Sequence, residues 1–310
     1  MSIKFFYPGW TRKAITFTID DGNIEMDKKF ISIVKPNGIS GTFNLCSLDL
    51  NKYTPDFYRE MYSGFGIANH CKMHPFLLKD SDNFELSNDA FDEATADEAK
   101  FYKTSKEGVY RFRAANGWRR KATLKAYTEL ISECHEELEG VFGKGSVTSF
   151  VWPFGDQQST DILEYINLRH GYTAARKTGL VEDSTGFAVP SDRMYWSYNA
   201  SHKNLLECAE KYDKYADDGE LKFFSFGIHS IDYENAEKWN ELREFAKKYG
   251  NRKNDFYYAP VDDIFRYADA TKEVKTSENE VINPTNIEIY AELNGIRTTI
   301  APKSSVVIEK

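Results

Sequence analysis

The chain has 310 residues and a net charge of −8, with apolar and charged residues in the proportions of a globular protein. That length buries a full core, in one large α/β domain or two smaller ones, and the negative charge argues against a nucleic-acid backbone or an anionic membrane as partner. Four scattered cysteines (Cys46, Cys71, Cys134, Cys208) with no CxxC pair fit neither a disulfide framework nor a four-thiolate zinc site.

Residues 1–13 lack the regions of a signal peptide, and no apolar run is long enough to cross a bilayer. The chain as given reads as soluble and cytoplasmic. Ala14 to Ile19 alternates, with Ile15, Phe17 and Ile19 on one face, which is the period of a strand. It runs into Asp20-Asp21, and Gly22 lets the chain turn. Adjacent carboxylates at a strand end repel each other, so a cation or a shared proton belongs between them. A metal held by one, with the other free as a base, resolves the repulsion; a helix N-cap is the alternative reading.

Ile24 to Val34 predicts a helix stopped by Pro36-Asn37-Gly38, followed by a strand over Ser40 to Cys46. Thr54-Pro55 opens a short helix to Met61, and Phe65 to Asn69 is a strand ending at His70. This βαβαβ order predicts a parallel sheet or barrel with helices outside. Residues 78 to 120 break the rhythm, first rich in acids, then basic and aromatic at Tyr110 to Arg113 and Trp118 to Lys121. We read a long excursion over one rim of the fold, partly helical from about Asp89 to Lys103, with Trp118 as a sugar-stacking side chain.

The rhythm then resumes. A long amphipathic helix over Leu124 to Phe142 precedes a strand over Val147 to Trp152, closed by Pro153-Phe154-Gly155. A helix from Ser159 to His170, a short strand at Tyr172 to Ala175, an irregular aromatic segment from Phe187 to Tyr198 and a helix from Ser201 to Tyr215 follow. Leu221 to Ile228 is a strand ending at His229, and a helix from Asn235 to Tyr249 precedes the last strand and helix, Phe256 to Ala259 and Val261 to Ala270. A polar linker, Thr271 to Glu280, leads to a small β appendage. Its hairpin pairs Ile287 to Glu292 with Ile296 to Ile300 around Asn294-Gly295, and Ser304 to Ile308 adds a third strand. The expected organisation is a barrel over 1–272, with an insertion at about 78–120, and an appendage over 281–310.

Asp20-Asp21, His70 and His229 each stand where a parallel strand ends, and in β/α barrels that face holds the active site. His70 and His74, four apart in a turn or helix, can aim both rings at one ion. Imidazole with a hard carboxylate suits a divalent transition metal, Zn²⁺ first, with Co²⁺, Ni²⁺ or Mn²⁺ as alternatives. Two histidines and one aspartate leave positions open for water and substrate.

Thr18-Ile19-Asp20-Asp21-Gly22 resembles the T-F-D-D-G first motif of the polysaccharide deacetylases, the family 4 carbohydrate esterases. His70-Cys71-Lys72-Met73-His74, with Asn69 before and Pro75 after, resembles their H-x-x-x-H second motif. Trp152-Pro153-Phe154-Gly155 is similar to the P-Y-G core of the third, and Ser225 to His229 to the final strand that delivers a histidine. The resemblance spans residues 14 to about 270. It implies a distorted (β/α)7 barrel and metal-dependent removal of acetyl groups from amino sugars. Carried over, Asp21, His70 and His74 bind the metal, Asp20 is the general base, His229 the general acid, and a backbone N–H near Phe154 helps hold the oxyanion.

Two positions depart from the pattern. The family's arginine before the third motif is replaced by Phe150-Val151-Trp152, with Arg193 or Arg176 as a source of the charge from elsewhere. The fourth motif, D-x-x-D-W, is matched only by Asp192-Arg193-Met194-Tyr195-Trp196, with tyrosine for the second acid. Asp192, Arg193 and Trp196 join Trp118, Trp152 and Phe154 as the expected substrate-binding set, for an acetylated sugar or oligosaccharide. Two other readings stay open: hydrolysis of a small amide or cyclic ureide on the same fold, and a non-catalytic carbohydrate-binding protein.

Overall fold

A computed structural model describes residues 2–82, 85–155, 159–180, 187–277 and 279–307. Strand Lys13–Asp21 lies at its centre, buried along almost its whole length. Ile15, Phe17 and Ile19 turn one face to the helices, where Phe17 packs edge-on against Phe30 and Phe43 at 5.0 and 5.2 Å. Thr16, Thr18 and Asp20 occupy the other face and are buried too. The alternation thus sorts an apolar face from a polar one.

All strands of the main sheet run parallel. Their order is Trp196–Tyr198, Ala174–Leu180, Val147–Val151, Gly66–Asn69, Thr42–Leu45, Lys13–Asp21, Lys222–His229 and Ala200–Ser201, with Phe256–Tyr258 also on Lys13–Asp21. The two end strands are separated in the chain only by Asn199, whose N–H donates to the Ser225 carbonyl at 2.8 Å and whose Oδ1 accepts from the Ser225 N–H at 2.9 Å. With 196–201 counted as one broken strand and Phe256–Tyr258 set aside, seven parallel strands of the described residues curl round a narrow interior. The barrel does not close as a ladder there. The interior leaves no room at Gly227, where a Cβ would lie 2.8 Å from Thr18 Cγ2.

The insertion departs from the helical expectation over Asp89 to Lys103. Phe76–Leu77, Gly117–Ala122, Val109–Ala114, Lys100–Lys103 and Glu85–Leu86 form a five-stranded sheet in that order. Short acidic side chains bind nearby backbone N–H groups and so favour turns over helix interiors. Asp92 accepts from the Ala94 N–H at 3.0 Å and Asp97 from the Ala99 N–H at 2.9 Å, both within turns. The hairpin of Val109–Ala114 with Gly117–Ala122 then supplies the partner for Lys100–Lys103.

The C-terminal hairpin is Ile289–Leu293 with Ile296–Ile300, turning at Asn294 (φ 49°) and Gly295 (φ 88°). It is fastened to the barrel, because Ile3–Phe6 pairs antiparallel with Ile289–Leu293. Val281, Ile289 and Ile300 share a core with Tyr7, Val261 and Phe265. The expected linker is partly ordered secondary structure: helix Val261–Glu273 and strand Lys275–Thr276. The third tail strand is Ser304–Val307; Ile308 lies outside the described residues. Among the described residues no helix is long and apolar enough to cross a membrane.

Candidate active site

The strand ends bring the chemistry together. Asp20 is in register with His229 on one side and with Asn44 on the other. Asp21 follows in the left-handed region (φ 77°), which swings its carboxylate over the rim. Asn69, fully buried, donates to the Ile131 carbonyl at 2.8 Å and to the Tyr172 hydroxyl at 2.9 Å, while its Oδ1 accepts from the Cys71 N–H at 2.8 Å. That anchor fixes a tight turn in which Cys71, Met73 and His74 all hold positive φ (59°, 65° and 48°). A turn, and not a helix, therefore aims the two histidines.

His70 Nδ1 donates to the Val151 carbonyl at 2.8 Å, which leaves Nε2 with its lone pair. His70 Nε2 and His74 Nε2 are 3.2 Å apart, and Asp21 Oδ1 lies 3.5 and 3.7 Å from them. Ligand atoms about 2.0–2.2 Å from a tetrahedral ion are separated by roughly 3.3–3.6 Å, so the triangle has the dimensions of a zinc-sized site. Burial, and His70 beside it, push the His74 imidazole down to about 4, so it is neutral and able to ligate. Asp21 is held below the ordinary carboxylate range: burial opposes this, but His70 and His229 outweigh it. These three residues fit a divalent cation.

Asp20, 2 % exposed, is pinned through Oδ1, which accepts from Asn44 Nδ2 at 2.7 Å and from Arg176 Nη2. Burial alone would raise its carboxyl; the Arg176 guanidinium, with His70 and His229, more than offsets this and keeps it ionised. The other oxygen, Oδ2, is 3.9 Å from His70 Nε2. His229 Nδ1 is 3.0 Å from Asp232 Oδ2, which also accepts the His229 N–H at 3.2 Å. Its Nε2 stands 3.5 Å from Asp21 Oδ2. Burial would lower this imidazole, but Asp232 and the carboxylates of Asp20 and Asp21 raise it to about 9.

The polysaccharide deacetylase family model matches residues 9–175, more than half of the sequence. The chain belongs to the polysaccharide deacetylase family. Solved structures with a similar chain path include the Xyl-CE4 domain of a multidomain xylanase from the hindgut metagenome of Trinervitermes trinervoides. It is 15 % identical, with 86 % of this chain and 93 % of that one covered and a TM-score of 0.46. A Streptococcus mutans CE4 esterase is 12 % identical, covering 83 % and 92 % at a TM-score of 0.46. The polysaccharide deacetylase Bc1974 from Bacillus cereus is 13 % identical, covering 80 % and 92 % at 0.43. No match to a curated protein is found.

In this member of the polysaccharide deacetylase family the arginine beside Asp20 comes from strand Ala174–Leu180, as Arg176, and Arg193 plays no part in it. The cleft, of about 600 Å³, is lined by Asp20, Asp21, His70, His74 and His229 at its floor. Trp152, Phe154 and Trp118 line it too, the last carried in by the insertion. Phe154 (φ 56°) stacks on Phe76 at 3.7 Å and meets the edge of the His74 ring at 4.3 Å. Trp152 is buried, and its Nε1 has no hydrogen-bond partner among the described residues.

Asp192, Arg193 and Trp196 lie outside this cleft; Asp192 and Trp196 line a neighbouring pocket with Lys177, Tyr195 and Phe223. Arg193 pairs with Asp269 at 2.8 Å and lies over Phe265. Trp196 packs against Phe223 and Phe265 at 5.8 and 5.2 Å, and Asp192 accepts from the Met194 N–H at 2.9 Å. Helix Val261–Glu273 draws this segment to its own side of the sheet. Asn44 and Asp232 were not among the sequence candidates. Asp232 had a signal in its place three residues after His229, the reach of one helical turn.

Proposed function

We propose that the chain is a metal-dependent hydrolase that removes N- or O-linked acetyl groups from a carbohydrate. The observation that carries this reading is the convergence of Asp21, His70 and His74 on one point, with the ionised Asp20 beside them and uncommitted at Oδ2. A divalent ion held by Asp21, His70 and His74, Zn²⁺ first and Co²⁺, Ni²⁺ or Mn²⁺ as alternatives, supplies Lewis acidity toward the acetyl carbonyl and the attacking water.

The chain's own residues do the rest. Asp20 Oδ2 takes the water's proton as general base, and the Arg176 contact on Oδ1 keeps the carboxylate charged for the task. The backbone N–H of Phe154 donates toward the oxyanion that develops on the acetyl oxygen. His229, charged and oriented by Asp232, gives the Nε2 proton to the departing sugar nitrogen or oxygen. Trp152 and Phe154 shape the acetyl pocket, and Trp118 offers a ring to the sugar face.

The family assignment and the Arg176 contact favour a carbohydrate over a small amide or ureide, since the arginine missing from the third motif is supplied after all. The test is acetate release from acetylated chito-oligosaccharides and acetylated xylo-oligosaccharides. Release should vanish with a chelator, return with Zn²⁺, and fall at least about 100-fold in Asp20→Asn. Acetate release that survives both treatments overturns the proposal.

A further inference from the structure

The insertion brings more than Trp118 to the cleft. Its hairpin also lines the wall with Arg119 and Arg120, among the described residues the only charged side chains there apart from the acids and histidines of the floor. Among the described residues Arg119 donates only to backbone carbonyls, those of Trp118 and Asn116, each at 3.2 Å. Arg120 Nη1 donates to the Met73 carbonyl at 3.2 Å, inside the turn that carries His70 and His74, and its Nε has no hydrogen-bond partner among the described residues. Directly opposite Arg120 in the ladder stands Arg111. Like charges in facing positions repel, and burial together with Arg111 holds the Arg120 guanidinium below its ordinary value.

Other cations of the same insertion are neutralised. Arg113 pairs with Glu98 at 3.2 Å, Lys121 with Asp82 at 2.6 Å, and Lys106 with Glu133 at 2.7 Å. Among the described residues no carboxylate lies within ion-pair distance of Arg111, Arg119 or Arg120. A chain with a net charge of −8 has acids to spare, yet none is placed against the arginines that face the cleft. A neutral sugar gives no reason to leave them so. A guanidinium presents a planar fork of donors that matches the two oxygens of a carboxylate or phosphate.

We propose that the substrate is an acetylated sugar bearing an anionic group, carboxylate or phosphate, which Arg119 and Arg120 bind while Trp118 covers the sugar ring. This rests on the deacetylase reading and adds the charge of its substrate. The anion also relieves the repulsion between Arg111 and Arg120.

The test is calorimetric titration of the 310-residue, Zn²⁺-supplemented chain with three probes: N-acetylglucosamine, N-acetylglucosamine 6-phosphate and N-acetylmuramic acid. At least one charged probe should bind about tenfold tighter than the neutral one, and the phosphate and carboxylate arms tell which anion is preferred. That preference should shrink as NaCl is raised. It should also collapse toward unity in Arg119→Gln, whose local carbonyl contacts make it a mild change, and in Arg120→Gln. Equal affinity for charged and neutral probes in the unmodified protein overturns the inference, as does a preference unchanged in both variants. Acetate release is scored on the same probes. Release without charge preference overturns this inference alone, whereas no release from any acetylated sugar overturns the reading beneath it.

Discussion

Arg176 reaches Asp20 from a strand that does not neighbour it in the sheet, and together they form an ion pair sealed from solvent. In the proposed mechanism the guanidinium sets the charge of Asp20 as base. Without it, only His70 and His229 are left to oppose burial, and the Asp20 carboxyl rises. Arg176→Met should therefore lower kcat/KM at pH 7 by about 10²–10⁴-fold and move the acidic limb of the pH profile upward. Breaking a buried pair costs about 3–5 kcal/mol of stability, so Arg176→Lys, which keeps a charge, serves as the folded control. An acidic limb that stays in place in both variants contradicts the assigned role.

Asp232 acts on the other proton. If His229 is the general acid proposed above, it must carry its proton, and activity should fall as pH rises through its pKa, raised to about 9. Asp232→Asn keeps an oxygen for the His229 backbone N–H but removes the charge, which lowers the imidazole pKa. The alkaline limb of kcat/KM should then move to lower pH by about one unit or more. A divalent ion held by Asp21 would offset part of that carboxylate's pull on His229 and leave that of Asp232. Measurement of the profile with and without the substitution settles the point, and an unmoved alkaline limb contradicts it.

Asp27 makes a prediction about stability. It is fully buried and accepts from Ser230 Oγ at 2.6 Å and from the Tyr62 hydroxyl at 2.9 Å, yet burial pushes its carboxyl up to about 7. In the unfolded chain it ionises near about 3.9. The folded value is the higher one, so the protonated form favours folding. That contribution is fully present below about pH 4 and is lost as pH rises toward 7, by up to about 4 kcal/mol. Urea denaturation from pH 4 to 8 should show this slope in the parent protein and not in Asp27→Asn. Parallel slopes in the two proteins contradict the assignment.

Local pattern made the strand ends legible. Ile15, Phe17 and Ile19 announced a strand, two acids stood at its end, and the later histidines occupied equivalent places, so the floor of the cleft could be read from spacing alone. The partners of these groups could be read only in part. Arg176 stood beside Arg193 as a source of the missing charge; nothing in Ala174–Leu180 decided between them, and only the parallel sheet carries Arg176 to Asp20. Asp89 to Lys103 reads as partly helical, but its acids do not sit in a helix. They cap turns, and the strand at Lys100–Lys103 exists only through its pairing with Val109–Ala114. The tail hairpin at Asn294-Gly295 was plain from its turn residues, but its pairing with Ile3–Phe6, nearly 290 positions away, had no local trace.

Metal content tests the central claim most directly. Purified protein dialysed against Zn²⁺ and then freed of excess should retain one equivalent per chain, measured by elemental analysis. His74→Ala and Asp21→Ala should lose it, and Asp20→Asn should keep it. One equivalent retained by all four proteins, or none by the unmodified chain, would contradict a site built from Asp21, His70 and His74.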